Sequence, residues 1–378
     1  MKHLTKNISI LLVLSSFVIL VWANRSGRFE VRPFDHGVTM TPVTESTPWK
    51  DDILKVKIGI FADNMYDLNI GSQSIAAEGL VWLSWPAEFQ SLLDRAKLPI
   101  EQVITPVNRV NSWDSVSKAL YAEPIRLPNG DYHQVIRFAN RFYAPHLDLR
   151  RYPFEQIKLP IIFGFHTMNE GFDTSKARLV ADTNQSGVGA YIDTLGLITD
   201  AFSVSEFIQE YPSSFGYQLT NGPVSSRYSQ VQLEVAYSKS KFAAILQLFL
   251  PLVVVMLMVL MAPNLAASLW DVRIAIPSTA LLTLVFLQQG YRQSLPLLPY
   301  LTYIDQIYGI CYIITFALFL LFVKASNALD HATDAQRDET IARLNRHDKI
   351  FQWGAIAILL FAVIANYLFP LRSIYPHH

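Results

Sequence analysis

The chain has 378 residues, 51% of them hydrophobic, and a mean hydropathy of +0.24, which is too apolar for an ordinary soluble protein and places the excess in membrane spans. Lysine plus arginine and aspartate plus glutamate number 31 each, so no net field argues for nucleic acid as a partner. The single cysteine, Cys311, excludes an intrachain disulfide and gives no reading of redox compartment.

Lys2 and Lys6 precede an apolar run from Ile8 to Trp22, and Val21-Trp22-Ala23 suits signal-peptidase cleavage. That run falls short of the roughly 20 residues of a full span, which favours a signal peptide over 1–23 above a retained anchor. Either reading exports the domain behind it. Residues 24–50, rich in Pro, Thr, Ser and charge, read as a strap or a loose leader.

Residues 51–241 alternate with period two. Leu54, Val56, Ile58 and Ile60 are interleaved with Lys55, Lys57 and Gly59, and Ile75, Ala77, Val81, Leu83 and Trp85 share one parity. Ile157, Leu159 and Ile161 alternate later, as do Val231, Leu233 and Val235 against Gln230, Gln232 and Glu234. Pro128-Asn129-Gly130-Asp131 is a hairpin signal and Asn221-Gly222-Pro223 marks another reversal. With one helical candidate near 87–97, the pattern predicts an immunoglobulin-like β-sandwich over 51–241.

A transmembrane domain of four helices is predicted over 242–378, with spans at about 242–262, 272–291, 303–323 and 350–369. Pro251 in the first span is tolerable where neighbours satisfy the freed carbonyl. Between the last two spans, 324–349 carries Lys324, Arg337, Arg343, Arg346 and Lys349, while the loop after the second span offers Arg292 alone. This basic bias predicts a cytoplasmic 324–349 linker and an outer β-domain.

The second span is the polar one. Ala275, Thr279, Leu282, Phe286 and Gln289 succeed one another at steps of four, three, four and three, a stripe on one helical face. Hydroxyls and amides at membrane depth face protein or water, so the stripe reads as a pore wall, with Thr279 rehydrating an ion and Leu282 and Phe286 forming a constriction. The plainer reading is that the apolar members pack against neighbouring helices. A pore wall made from one helix implies several copies around an axis. Asp271, just before the span, would then ring the mouth with carboxylates and favour cations, or be an ordinary acid at a helix start. Were Arg273 to face the lumen instead, an anion pore would result.

His146-Leu147-Asp148-Leu149-Arg150-Arg151-Tyr152-Pro153-Phe154-Glu155 resembles the signature loop of the pentameric ligand-gated ion channels, the Cys-loop receptor superfamily, in its cysteine-free prokaryotic branch. Leu295-Pro296-Leu297-Leu298-Pro299-Tyr300-Leu301-Thr302-Tyr303 is similar to that family's link between its second and third transmembrane helices, and Tyr66 to Trp85 resembles the first two strands with their loop. The resemblance implies a homopentamer in the inner membrane, multi-pass, with a periplasmic ligand-binding β-sandwich and a central pore passing monovalent cations. It makes Asp271 the selectivity carboxylate. It assigns coupling to Arg150, Pro153 and Glu155 of the signature loop, to the turn around Asn69, to Pro296, Pro299 and Tyr300, and to Lys239, the basic residue that would pair with Glu155. The implied agonist site draws on Tyr191, Tyr217 and Tyr228, with Trp82 or Trp85 from a neighbouring subunit; each reads equally as core, and Trp85 more as core by its strand parity.

Several positions depart from the family's pattern. Glu155 stands for the usual Asp, Lys239 for the usual Arg, and Pro145 and Leu159 for the two cysteines. Lysine is a point charge rather than a planar fork, which loosens the expected coupling pair. Pro277 lacks an amide proton and would bend the pore helix. No phosphate loop, Gly-x-Ser-x-Gly elbow or zinc spacing marks an enzyme, and no cofactor or metal is expected. The agonist, small molecule or proton, stays open. The competing expectations are a membrane-anchored sensor without conductance and an anion-selective channel of the same family.

Overall fold

The computed structural model of the protein describes residues 37–368 except 46, 50–51, 111, 145–146, 166–175, 193–195, 214–225, 294 and 299. The expected signal peptide and residues 24–36 lie outside the described residues. The chain divides into two compact units: Pro33–Leu147 with Gln156–Lys239, built of strands, and Asp148–Glu155 with Ser240–Ser373, built of helices. Asp148–Glu155 is flanked on both sides by strand-forming sequence yet belongs with the helices.

In the first unit the strands are β1 (Thr39–Pro42), β2 (Leu54–Asn69), β3 (Ser74–Trp85), β4 (Ile104–Pro106), β5 (Arg109–Val110), β6 (Val116–Ala119), β7 (Ile125–Arg126), β8 (Tyr132–Tyr143), β9 (Gln156–Phe165), β10 (Ala177–Ala181), β11 (Gly187–Tyr191), β12 (Ile198–Tyr211) and β13 (Ser226–Ser238). Among the described residues they form two sheets, β1-β12-β13-β9-β4 and β10-β2-β3-β8-β5, with β11 added on β2 and β6 and β7 on β8. Helix α1 (Ala87–Ala96) comes after β3 and buries Phe89 and Leu93, and the one-turn α2 (Ile100–Val103) leads into β4.

Period-two burial explains why the strands form. On β3 the residues Ile75, Ala77, Val81, Leu83 and Trp85 are buried while Ala76, Glu78, Leu80, Trp82 and Ser84 are half-buried. One apolar cluster joins Val56, Ile58 and Ile60 of one sheet to Leu159, Ile161, Val231, Leu233 and Val235 of the other. Each such side chain contributes about 1.5–3 kcal/mol by leaving water. The alternation places Gln230 and Gln232 on a wet face, but both are buried: Gln230 donates to Gln209 on β12, and Gln232 donates to Glu234 at 3.1 Å. Between β7 and β8, the Gly130 amide donates to Leu127 at 2.9 Å and Gly130 has φ +92°, a left-handed position that suits glycine in a short hairpin loop.

The second unit contains α3 (Lys241–Asn264), α4 (Trp270–Arg292), α5 (Tyr303–Asp330) and α6 (Arg337–Leu368). All four are long and apolar enough to cross a membrane. In α3 the turn Ile245–Phe249 widens to π geometry just before Pro251, whose ring cannot accept a regular turn behind it and whose nitrogen has no proton to donate. Helix α4 continues through Pro277, which is buried. The stretch 324–349, a charged linker whose sequence is compatible with helix, is mostly helical: α5 runs on to Asp330 and α6 starts at Arg337, with Asp338 and Glu339 complementing the dipole of its first turn.

Candidate functional site

Helix α4 is two-faced. Arg273, Pro277, Ala280, Leu284 and Tyr291 are buried, at steps of four, three, four and seven. The predicted stripe lies on the other side, where Ala275, Thr279, Leu282, Phe286 and Gln289 are all exposed within one chain, Leu282 at 57% and Phe286 at 64%. The structure thus keeps the five on one open face.

Not every polar group of the span calls for water. The Ser278 hydroxyl donates to the Ile274 carbonyl at 2.8 Å and Thr283 to the Thr279 carbonyl at 2.9 Å, so each is satisfied by its own helix. Gln288 accepts from the Tyr312 hydroxyl at 2.8 Å and faces α5. The Thr279 hydroxyl has no hydrogen-bond partner among the described residues. Of the polar side chains in the span, Thr279 and Gln289 therefore remain open on the stripe.

At the start of α4, Asp271 is exposed and Arg273 is not. Arg273 pairs with Asp348 of α6 through its Nη2, and its guanidinium lies 4.2 Å from the centroid of the Phe322 ring on α5. Both charged side chains are almost fully buried, at 2% and 1% exposure. Sequence reasoning left open which of Asp271 and Arg273 is presented. In the single chain it is Asp271.

The other end of α4 meets the α4–α5 link. Thr302 caps α5 with a capping box: its hydroxyl accepts from the Asp305 amide at 3.3 Å, and the Asp305 carboxylate accepts from the Thr302 amide at 3.1 Å. Asp305 also accepts from the Thr302 hydroxyl at 2.8 Å, from Arg292 at 2.9 and 3.1 Å, and from the Tyr291 hydroxyl. One buried carboxylate thereby fastens the last turn of α4 to the first turn of α5. The sequence signal for it was Thr302-x-x-Asp305 ahead of an apolar run.

Against this junction lies Asp148–Glu155. The Tyr303 amide donates to the Arg150 carbonyl at 2.7 Å, and the Leu149 amide donates to the Tyr300 hydroxyl at 3.1 Å. The Arg150 guanidinium, in a residue 5% exposed, lies over the Tyr300 ring at 5.1 Å. Tyr152 stacks on Tyr291 with centroids 6.4 Å apart, and Phe154 stacks on Phe249 of α3 at 5.8 Å while reaching Tyr303 at 6.0 Å. Pro153 and Glu155 are buried. Pro296 is half-buried beside the fully exposed Leu297, and Pro299 lies outside the described residues. Sequence reasoning named Arg150, Pro153 and Tyr300 but missed Tyr152, Phe154, Phe249 and Asp305.

In the strand unit, Asn69 is exposed at the end of β2, its Oδ1 accepting from the Ser72 amide of the β2–β3 turn at 2.9 Å. Lys239 is half-buried at the end of that unit. The aromatic candidates do not converge within one chain. Tyr191 is 79% exposed on β11, whereas Tyr228 is 7% exposed, belongs to the apolar core and packs edge-on against Tyr211 at 5.8 Å. The Trp82 indole donates to Asp182 at 3.3 Å, and its ring occupies the space a Cβ on Gly59 would need. Trp85 is core, stacked on Tyr132. Tyr217 lies outside the described residues. The chain matches no protein-family model and no curated protein.

Proposed function

We propose that this chain is the subunit of a homopentameric ligand-gated ion channel that prefers cations, with the strands as an outer, periplasmic β-sandwich and α4 lining a central pore. The observation that carries the reading is the meeting of two motifs recognised separately in the sequence. The Asp148–Glu155 loop is built against the Tyr300–Tyr303 link, through the Tyr303 to Arg150 hydrogen bond at 2.7 Å. A loop held by strands at both of its ends and bonded where the pore helix joins the next is a route by which strain in the β-sandwich reaches the pore. Glu155 and Lys239 serve as the acid and base of that route, with the turn around Asn69 as its second arm.

In this reading Thr279 and Gln289 offer polar atoms to permeating monovalent cations, Leu282 and Phe286 form the apolar gate, and Asp271 selects for cations. Arg273, held by Asp348, contributes no charge to the lumen, which disfavours the anion channel. A membrane-anchored sensor without conductance draws support from Ser278 and Thr283, whose hydroxyls need no water. Thr279 separates the two readings.

The test is reversal potential in planar bilayers under a salt gradient. A cation-selective current that shifts toward neutrality in Asp271→Ala supports the proposal. A purified protein that binds ligand and passes no current sinks it.

A further inference from the structure

The strand unit holds a cavity of about 610 Å³ where β10 of one sheet comes beside β12 of the other, roofed by the segment after β1. That roof is pinned by the Val43 amide, which donates to the Glu206 carbonyl at 2.9 Å, and the floor by the Ala181 amide, which donates to the Glu206 carboxylate at 2.8 Å. Arg178 lines the cavity with its guanidinium 4.9 Å from the centroid of the Trp49 ring.

This arginine is unusual in its surroundings. Its Nε is buried with no acceptor, and among the described residues the guanidinium has neither a hydrogen-bond nor an ion-pair partner. Its cross-strand neighbour in the β10–β2 register is Lys55, a charge of the same sign. The Trp49 Nε1 proton is likewise buried without an acceptor. An aromatic ring covers one face of the cation and leaves the edge of its fork for a planar bidentate acceptor. A half-buried cation and an orphaned indole proton together are an incomplete carboxylate site.

The rest of the lining decides what else the ligand carries. Glu45 and Glu206 both face the cavity, so a simple anion would meet two like charges, whereas a ligand bearing an ammonium as well would answer them. We infer that this cavity binds a small amino acid-type zwitterion, its carboxylate on Arg178 and its ammonium toward Glu45 and Glu206. The site lies within one strand unit and needs no conductance, so it stands apart from the channel reading.

The test is calorimetric titration of the full chain in detergent with three probes: 5-aminovalerate, valerate as its carboxylate half, and pentylamine as its ammonium half. The expected result is saturable binding of 5-aminovalerate, tighter than either half, weakened at least roughly tenfold by Arg178→Gln. Glu45→Gln, at an exposed position that does not challenge folding, is expected to weaken 5-aminovalerate while valerate, relieved of a like charge, binds no more weakly. Absence of saturable binding overturns the proposal. So does binding that survives Arg178→Gln, which places the ligand elsewhere, valerate binding as tightly as 5-aminovalerate, or Glu45→Gln leaving 5-aminovalerate unaffected.

Discussion

Asp348 on α6 neutralises Arg273 on α4 inside the helical unit, and both side chains are almost entirely removed from solvent. Removing one partner of such a pair leaves a buried charge with nothing to answer it. Asp348→Ala is expected to destabilise the helical unit by about 3–5 kcal/mol, while Arg273→Met with Asp348→Leu restores much of the loss. Thermal unfolding in nanodiscs reads both variants. A single Asp348→Ala variant as stable as the parent would contradict a desolvated pair.

The open face of α4 predicts a pattern of chemical reactivity. Single cysteines at 275, 279, 282, 286 and 289, with Cys311 replaced by alanine, are expected to react with a small charged thiol reagent added to the protein in membranes. Cysteines at 277, 280 and 284, on the buried side, are expected to stay protected. In the proposed channel, Leu282→Ser is expected to ease opening, because a polar ring would hold water where a leucine ring would expel it. Reactivity at 280 and 284 but not at 279 and 282 would turn the helix round.

The capping box and the hub on Asp305 can be separated by two substitutions. Thr302→Ala removes a cap hydroxyl and is expected to cost about 1 kcal/mol. Asp305→Ala also strips the acceptor from Tyr291, Arg292 and the Thr302 amide, and about 2–3 kcal/mol is expected. Equal losses for the two, measured by denaturation in the same detergent, would show that the Tyr291 and Arg292 bonds add nothing.

His133 on β8 gives the strand unit a pH dependence. Burial lowers its pKa below the usual histidine value, opposed by a backbone hydrogen bond with Leu83, and its Nδ1 lies 3.0 Å from the Ser84 hydroxyl. The unfolded chain therefore takes up the proton first. Stability associated with His133 is complete above about pH 6.5, the value for a free imidazole, and falls as the pH drops through it. His133→Gln is expected to flatten that part of the melting-temperature profile, and a parallel profile in the variant would assign the acid sensitivity to another group.

How much the sequence disclosed depends on how local each signal is. The parity of Ile75 to Trp85 was legible because one face of β3 meets a core, and the α4 stripe because its period is that of a helix. Gln230 and Gln232 misled because the covering of a strand's second face is set by distant chain. The helices α5 and α6 extend beyond the predicted spans for a different reason: an apolar run stops at the first charges, while the backbone remains helical beyond them. Asp348 lies 75 positions from Arg273, and no periodicity connects them. Asp305 was readable as a cap, yet its service to Tyr291 and Arg292 required the α4–α5 reversal to be folded.

The membership of Asp148–Glu155 in the helical unit has a consequence for anyone recombining this protein with another. A chimera spliced only between 239 and 240 would set a foreign octapeptide against Tyr300, Tyr303 and Phe249, with mismatched rings and amides. Faithful grafting takes three junctions, at 147/148, 155/156 and 239/240, so that the excised island travels with its helices.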